Sequence, residues 1–112
     1  MGTRQQVWNK YEAVILLDGY IEVLEGKNLR QQVIKRVSRE LRQMAAHQGI
    51  AIDEFFRNEN GVFFQMRSME SAYQGHTIDK PATKLFTDVV ALYQNQRPEY
   101  EVLLREAKAI AL

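Results

Sequence analysis

The sequence predicts an all-α fold, a compact bundle of four or five helices that includes a helix-turn-helix-like unit. Three observations lead there. Apolar residues recur at spacings of three and four, no pair of alternating strands is visible, and Asn, Gly and Pro punctuate the apolar stretches. A chain of 112 residues, 46% of them hydrophobic, can bury one core but not two independent ones, so residues 1–112 read as a single domain.

The first helix begins at Asn9, whose side chain can cap while Glu12 reaches back as in a capping box. It runs through Tyr11, Val14–Leu17, Tyr20, Ile21 and Leu24 to Gly26, is apolar on most sides, and is expected to be central. Gly19 inside it marks close helix packing. The second helix starts after Asn28 and repeats Val33, Ile34, Val37, Leu41, Met44 and Ala45 until Gly49. Projected at about 100° per residue, Lys35, Arg36, Arg39 and Arg42 gather opposite that stripe. Ile50–Ile52 reads as an extended apolar bridge, and Asp53 as the cap of a helical turn through Arg57.

The polar run Arg57-Asn58-Glu59-Asn60-Gly61 reads as a turn. The helix after it places Val62, Met66, Met69 and Tyr73 inward and Phe64, Ser68 and Ser71 outward, and two helices about such a turn make the helix-turn-helix-like unit. Pro81 and Pro98 each precede or open a helix, the first carrying Leu85, Phe86, Val89, Val90 and Tyr93, the second Tyr100, Leu103, Leu104, Ala107 and Ile110. That last helix meets the final residue without a stop signal, which points to a piece of a longer protein. Trp8, Leu16, Tyr20, Val37, Leu41, Met66 and Val89 are the expected core.

Several function classes fall away. The chain has no cysteine, so thiol chemistry and Cys-type zinc sites are excluded and nothing indicates an oxidising compartment. The longest apolar run, Ala13–Leu17, is far short of a membrane span, and the N-terminus lacks a signal-peptide layout, so a cytoplasmic setting is expected. His47 and His76 lie in different segments without nearby carboxylates at ligand spacing, and Glu12, Asp18 and Glu22 suit a cap and a solvated helix face. Neither a catalytic residue, a metal site nor a cofactor is expected.

The net charge of +1 conceals a division along the chain. Glu12, Asp18, Glu22 and Glu25 stand together without a base between them, whereas Lys27, Arg30, Lys35, Arg36, Arg39 and Arg42 face Glu40 alone. A partner responds to the local field, so the second helix is a candidate phosphate-binding face.

Trp8-Asn9-Lys10-Tyr11-Glu12, the Arg57–Gly61 run leading into Val62-Phe63-Phe64-Gln65-Met66, and Lys80-Pro81-Ala82-Thr83-Lys84-Leu85-Phe86 together resemble the N-terminal helical module of bacterial HNH-nuclease and restriction or defence proteins. The likeness extends from about Trp8 to Tyr93, and no nuclease segment follows it. It implies a DNA-targeting unit ahead of an effector domain. On this reading Arg36, Arg39, Arg42, Arg57, Asn58, Asn60, Lys80 and Lys84 contact DNA, and Gln65 and Arg67 are the side chains able to reach base edges. The competing expectation is a protein-interaction or dimerisation domain with no nucleic-acid role, which an exposed aromatic cluster would favour.

Overall fold

Helix α1 (Lys10–Leu24) is the axle of the molecule. In the computed structural model, which describes residues 7–112, it is followed by α2 (Arg30–His47), α3 (Glu59–Gln74), α4 (Lys84–Asn95) and α5 (Arg97–Ala111), with no strand among the described residues. The reading of the N-terminus as lacking a signal layout falls largely on residues 1–6, outside the described part.

Helix α1 touches all four other helices, and these close a ring around it in the order α2, α3, α4, α5 and back to α2. That is why Ala13, Val14, Ile15, Leu16 and Leu17 can be buried in succession. A helix packed on one side only would expose part of such a run. The capping box starts it as expected: Asn9 Oδ1 accepts from the Glu12 amide at 3.0 Å, and the Asn9 amide donates to Glu12 Oε1 at 3.0 Å. Gly19 lies directly against α2. A Cβ there would stand 2.8 Å from Val33 Cγ1 and 3.0 Å from Val37 Cγ2, so only glycine permits this approach.

The expected core is buried except for Trp8. Trp8 precedes the first helical turn and is half-buried, its ring edge-on to Phe86 at 5.8 Å and one face covered by Arg57. Four tyrosines knit the ring to the axle, in the order Tyr20 (α1), Tyr73 (α3), Tyr93 (α4) and Tyr100 (α5), with neighbouring centroids 5.6, 6.4 and 4.9 Å apart.

Three local expectations are revised. Residues 54–57 form the single turn expected, with Asp53 Oδ1 accepting from the Phe55 and Phe56 amides, and it goes no further because Arg57 adopts φ +47°. The helix-turn-helix pair expected ahead of Gly61 is therefore one turn followed by α3. Ser68 and Ser71 are buried, not outward: their hydroxyls donate to the Pro81 and Lys80 carbonyls, pinning the 78–81 segment to α3. The polar run read as a turn is partly helical: α3 starts at Glu59, Asn58 caps it by accepting from the Gly61 amide at 2.8 Å, and Asn60 and Gly61 lie inside its first turn.

Candidate interaction face

The acidic and basic helices identified in the sequence meet each other. Arg36 grips both oxygens of Glu22 on α1, and its Nε lies 3.8 Å from Glu40. Lys108 of α5 holds both Glu40 oxygens at 3.0 Å and stands 3.9 Å from Asp18. The Arg36 hydrogen bonds hold the Glu22 carboxyl below its ordinary pKa, and the same pairing raises that of Arg36. Asp18 is raised by burial, against the pull of Lys108. The acids of α1 are thus largely the counter-charges of the bundle and not a solvated face.

Arg57 is the largest correction. Its side chain is 2% exposed, donating through Nε to Glu12 Oε2 at 2.7 Å and through Nη2 to Glu12 Oε1 at 3.2 Å. The guanidinium is sandwiched between the rings of Trp8 and Phe56, at 4.8 and 4.5 Å from their centroids. It cannot reach DNA, because burial and the pair with Glu12 turn it inward. Glu12 therefore caps α1 and also neutralises a buried cation from the loop before α3.

The other nominated residues separate by what already occupies them. Asn58 spends its carbonyl oxygen on the helix cap. Arg67 is ion-paired with Asp79 and lies against the rings of Phe63 and Phe64. Lys80 sits over the Phe64 ring at 4.2 Å, and Lys84 pairs with Asp88 at 2.9 Å on the far side of the 78–83 connection. Gln65 is only half-exposed, while Asn60 is exposed. Helix α3, the expected reader, carries Glu59 and Glu70 against Arg67 alone.

Arg30 at the start of α2 and three cations further along it escape this pattern. Lys35 and Arg39 are exposed with no carboxylate partner among the described residues. Arg42 donates through Nη1 to the carbonyls of Asp53 and Phe56, which fixes the side chain without cancelling its charge. All three line a shallow groove of about 440 Å³ in which Glu59 is the one acid. Lys35 and Glu59 also line a second depression of about 320 Å³, bordered by Ile34, Asn60 and Phe63, so the two run together between α2 and the first turn of α3. Phe63, which lines the second depression, is 39% exposed, and Phe64 next to it in α3 and Phe55 in the preceding turn are 46% and 63% exposed.

Among the described residues no group of three or more His, Asp or Glu is placed to hold a metal ion, and no helix is long and apolar enough to cross a membrane. Comparison with protein-family models, with curated proteins and with solved structures finds no match to this chain.

Proposed function

We propose that this protein is a non-catalytic binding module that recognises another protein through the outer face of α2 and the N-terminal half of α3. The observation that carries the reading is the exposed Phe63–Phe64 pair beside a groove whose cations lack carboxylate partners. Adjacent exposed aromatics cost solvation in a free monomer and are the residue type that anchors protein interfaces. Helix α3 suits DNA less well, because its exposed side chains include two phenylalanines and Glu59 and its one arginine is already paired, which leaves Asn60 and Gln65 as the nominated residues still able to reach outward. Chemistry, if the module serves any, belongs to a partner or to an effector domain in a longer chain. A chain without cysteine suits a cytoplasmic setting.

A second reading keeps the nucleic-acid contact in reduced form. Lys35, Arg39 and Arg42 hold phosphates, as the clustered charge on the second helix suggests. The observation favouring it is the absence of carboxylates on these three among the described residues.

One pair of measurements separates them. Duplex DNA titrated at low and moderate salt is expected to show only weak retention, because three phosphate contacts give a shallow salt slope of about 3 in log–log terms. Affinity capture with the wild-type chain and with a Phe63→Ser/Phe64→Ser variant is expected to yield a discrete protein in the first and none in the second. Tight, steeply salt-dependent DNA binding that survives the Phe substitutions overturns the protein-binding reading.

A further inference from the structure

We infer that the groove between α2 and the first turn of α3 is a slot for an acidic helix of a partner protein that carries apolar residues at one end. Its carboxylates would meet Lys35, Arg39 and Arg42, and its apolar end would lie on Phe63 beside Ile34. This inference rests on the protein-binding reading and specifies the chemistry of the partner.

The dimensions point to a helix. The wall supplied by α2 extends from Gln31 to Ala46, which at ~1.5 Å per residue is about 22 Å, or four helical turns. A helix laid along it would present one side chain per three or four residues, the same spacing at which Lys35, Arg39 and Arg42 follow one another. The slot also changes chemistry from one end to the other. Ile34 and Phe63 line it near the start of α2, and Lys35, Arg39 and Arg42 follow one another along the rest. A polypeptide helix can carry an apolar end and spaced acids beyond it, whereas a phosphate backbone offers charge only.

Two features make the cations suited to carboxylates. Arg42 is already immobilised by the Asp53 and Phe56 carbonyls, so little side-chain entropy remains to be lost when it meets an anion. Glu59, which lines both depressions, disfavours a ligand that is uniformly negative and tolerates one whose acids are spaced.

The test uses synthetic peptides of about four helical turns. One has Leu in its first turn and Glu at spacings of three and four beyond it, a second has the same composition scrambled, and a duplex DNA of similar length is the third ligand. Binding to the full chain is followed by fluorescence anisotropy. The patterned peptide is expected to bind in preference to the scrambled one. Lys35→Glu/Arg39→Glu should weaken it about tenfold or more, and Phe63→Ala should weaken it by a smaller factor, with helical circular dichroism unchanged in both. Equal binding of the two peptides, or no effect of the charge reversal, overturns the slot. If the charge reversal has no effect while Phe63→Ser/Phe64→Ser abolishes capture of a protein partner, the slot falls and the protein-binding reading stands. Preferential, salt-steep binding of the DNA overturns both. Concentration-dependent self-association lost in the Lys35→Glu/Arg39→Glu variant overturns the slot in favour of a second copy of this chain.

Discussion

Lys35 and Arg36 are neighbours on one helix and stand in opposite electrostatic situations. Arg36 turns toward α1 and α5, where Glu22 and Glu40 receive it, and the cluster closes with Lys108. Lys35 turns toward α3, where Glu59 is the one acid lining the groove and makes no ion pair with it. The first side of α2 holds the bundle together, and the second is left with charge that a partner can use. A helix rich in base is therefore not a basic face. What counts is which of its cations the rest of the fold has already neutralised.

The sharpest way to break that division is to remove a cation from the inner side. Arg57, although it comes from a loop, is the extreme case, being buried against Glu12, Trp8 and Phe56. Arg57→Ala leaves the Glu12 carboxylate in a closed site without its cation, and a loss of about 3–5 kcal/mol is expected in urea denaturation. Replacing both partners, as Glu12→Gln/Arg57→Met, should cost less than the sum of the single changes, apart from whatever the weakened capping box contributes. Additive losses would mean that the two side chains do not act as a pair.

The next largest effect tests the α1–α2 contact on which the inner side depends. Gly19→Ala gains about 0.5–1 kcal/mol in helix propensity. It also drives a methyl group into Val33 and Val37, whose branched side chains yield little. Overpacking of this kind costs about 1–3 kcal/mol, so a lower melting temperature is expected despite the better helix former. A higher one would show that α2 can move away, and the Arg36–Glu22 pairing would then not be tightly fixed.

Smaller still is the direct contrast across α2. Arg36→Ala should cost about 1 kcal/mol, discounted because both partners are partly solvated. Arg39→Ala should change stability by less than about 0.5 kcal/mol. Equal losses at the two positions would erase the distinction between the faces.

How much of this was legible depended on the range of the interaction. The capping box, the axle-like apolar run of α1 and the close approach at Gly19 are encoded within a few residues, and each was readable. The split of α2 was partly readable. At about 100° per residue, Arg39 and Arg42 lie about 40° and 20° from Lys35, whereas Arg36 lies about 100° away and toward Glu40. Treating the four as one face hid this. The Glu12–Arg57 pair joins residues 45 apart, and nothing local distinguishes Arg57 from an exposed member of a polar turn. Ser68 and Ser71 misled for a related reason: their hydroxyls are satisfied by carbonyls of a later loop, which no helical periodicity reveals.

The smallest effect concerns pH, and it sharpens the comparison because it reads the inner cluster directly. Asp18 faces Lys108, Glu22, Arg36 and Glu40, with Tyr100 also nearby, and burial raises its pKa further than Lys108 lowers it. The Tyr100 hydroxyl is buried without a hydrogen-bond partner among the described residues, and burial followed by the Asp18 charge pushes its pKa up as well. Because folded Asp18 holds its proton more tightly than the unfolded chain does, stability rises as pH falls from neutrality through the raised value. Glu22 acts in the opposite sense. Its pKa is lowered by Arg36, so its contribution is complete above the unfolded value and lost as pH falls through the lowered one. The two together predict a shallow stability maximum on the acid side of neutrality. Asp18→Asn should remove the rise and keep the fall, leaving the variant slightly more stable than wild type near neutral pH, by under about 1 kcal/mol. Urea midpoints for both chains between about pH 4 and 8 test this. Parallel profiles would show that Asp18 is solvated well enough to titrate normally, and that the inner side of α2 is less closed than its contacts imply.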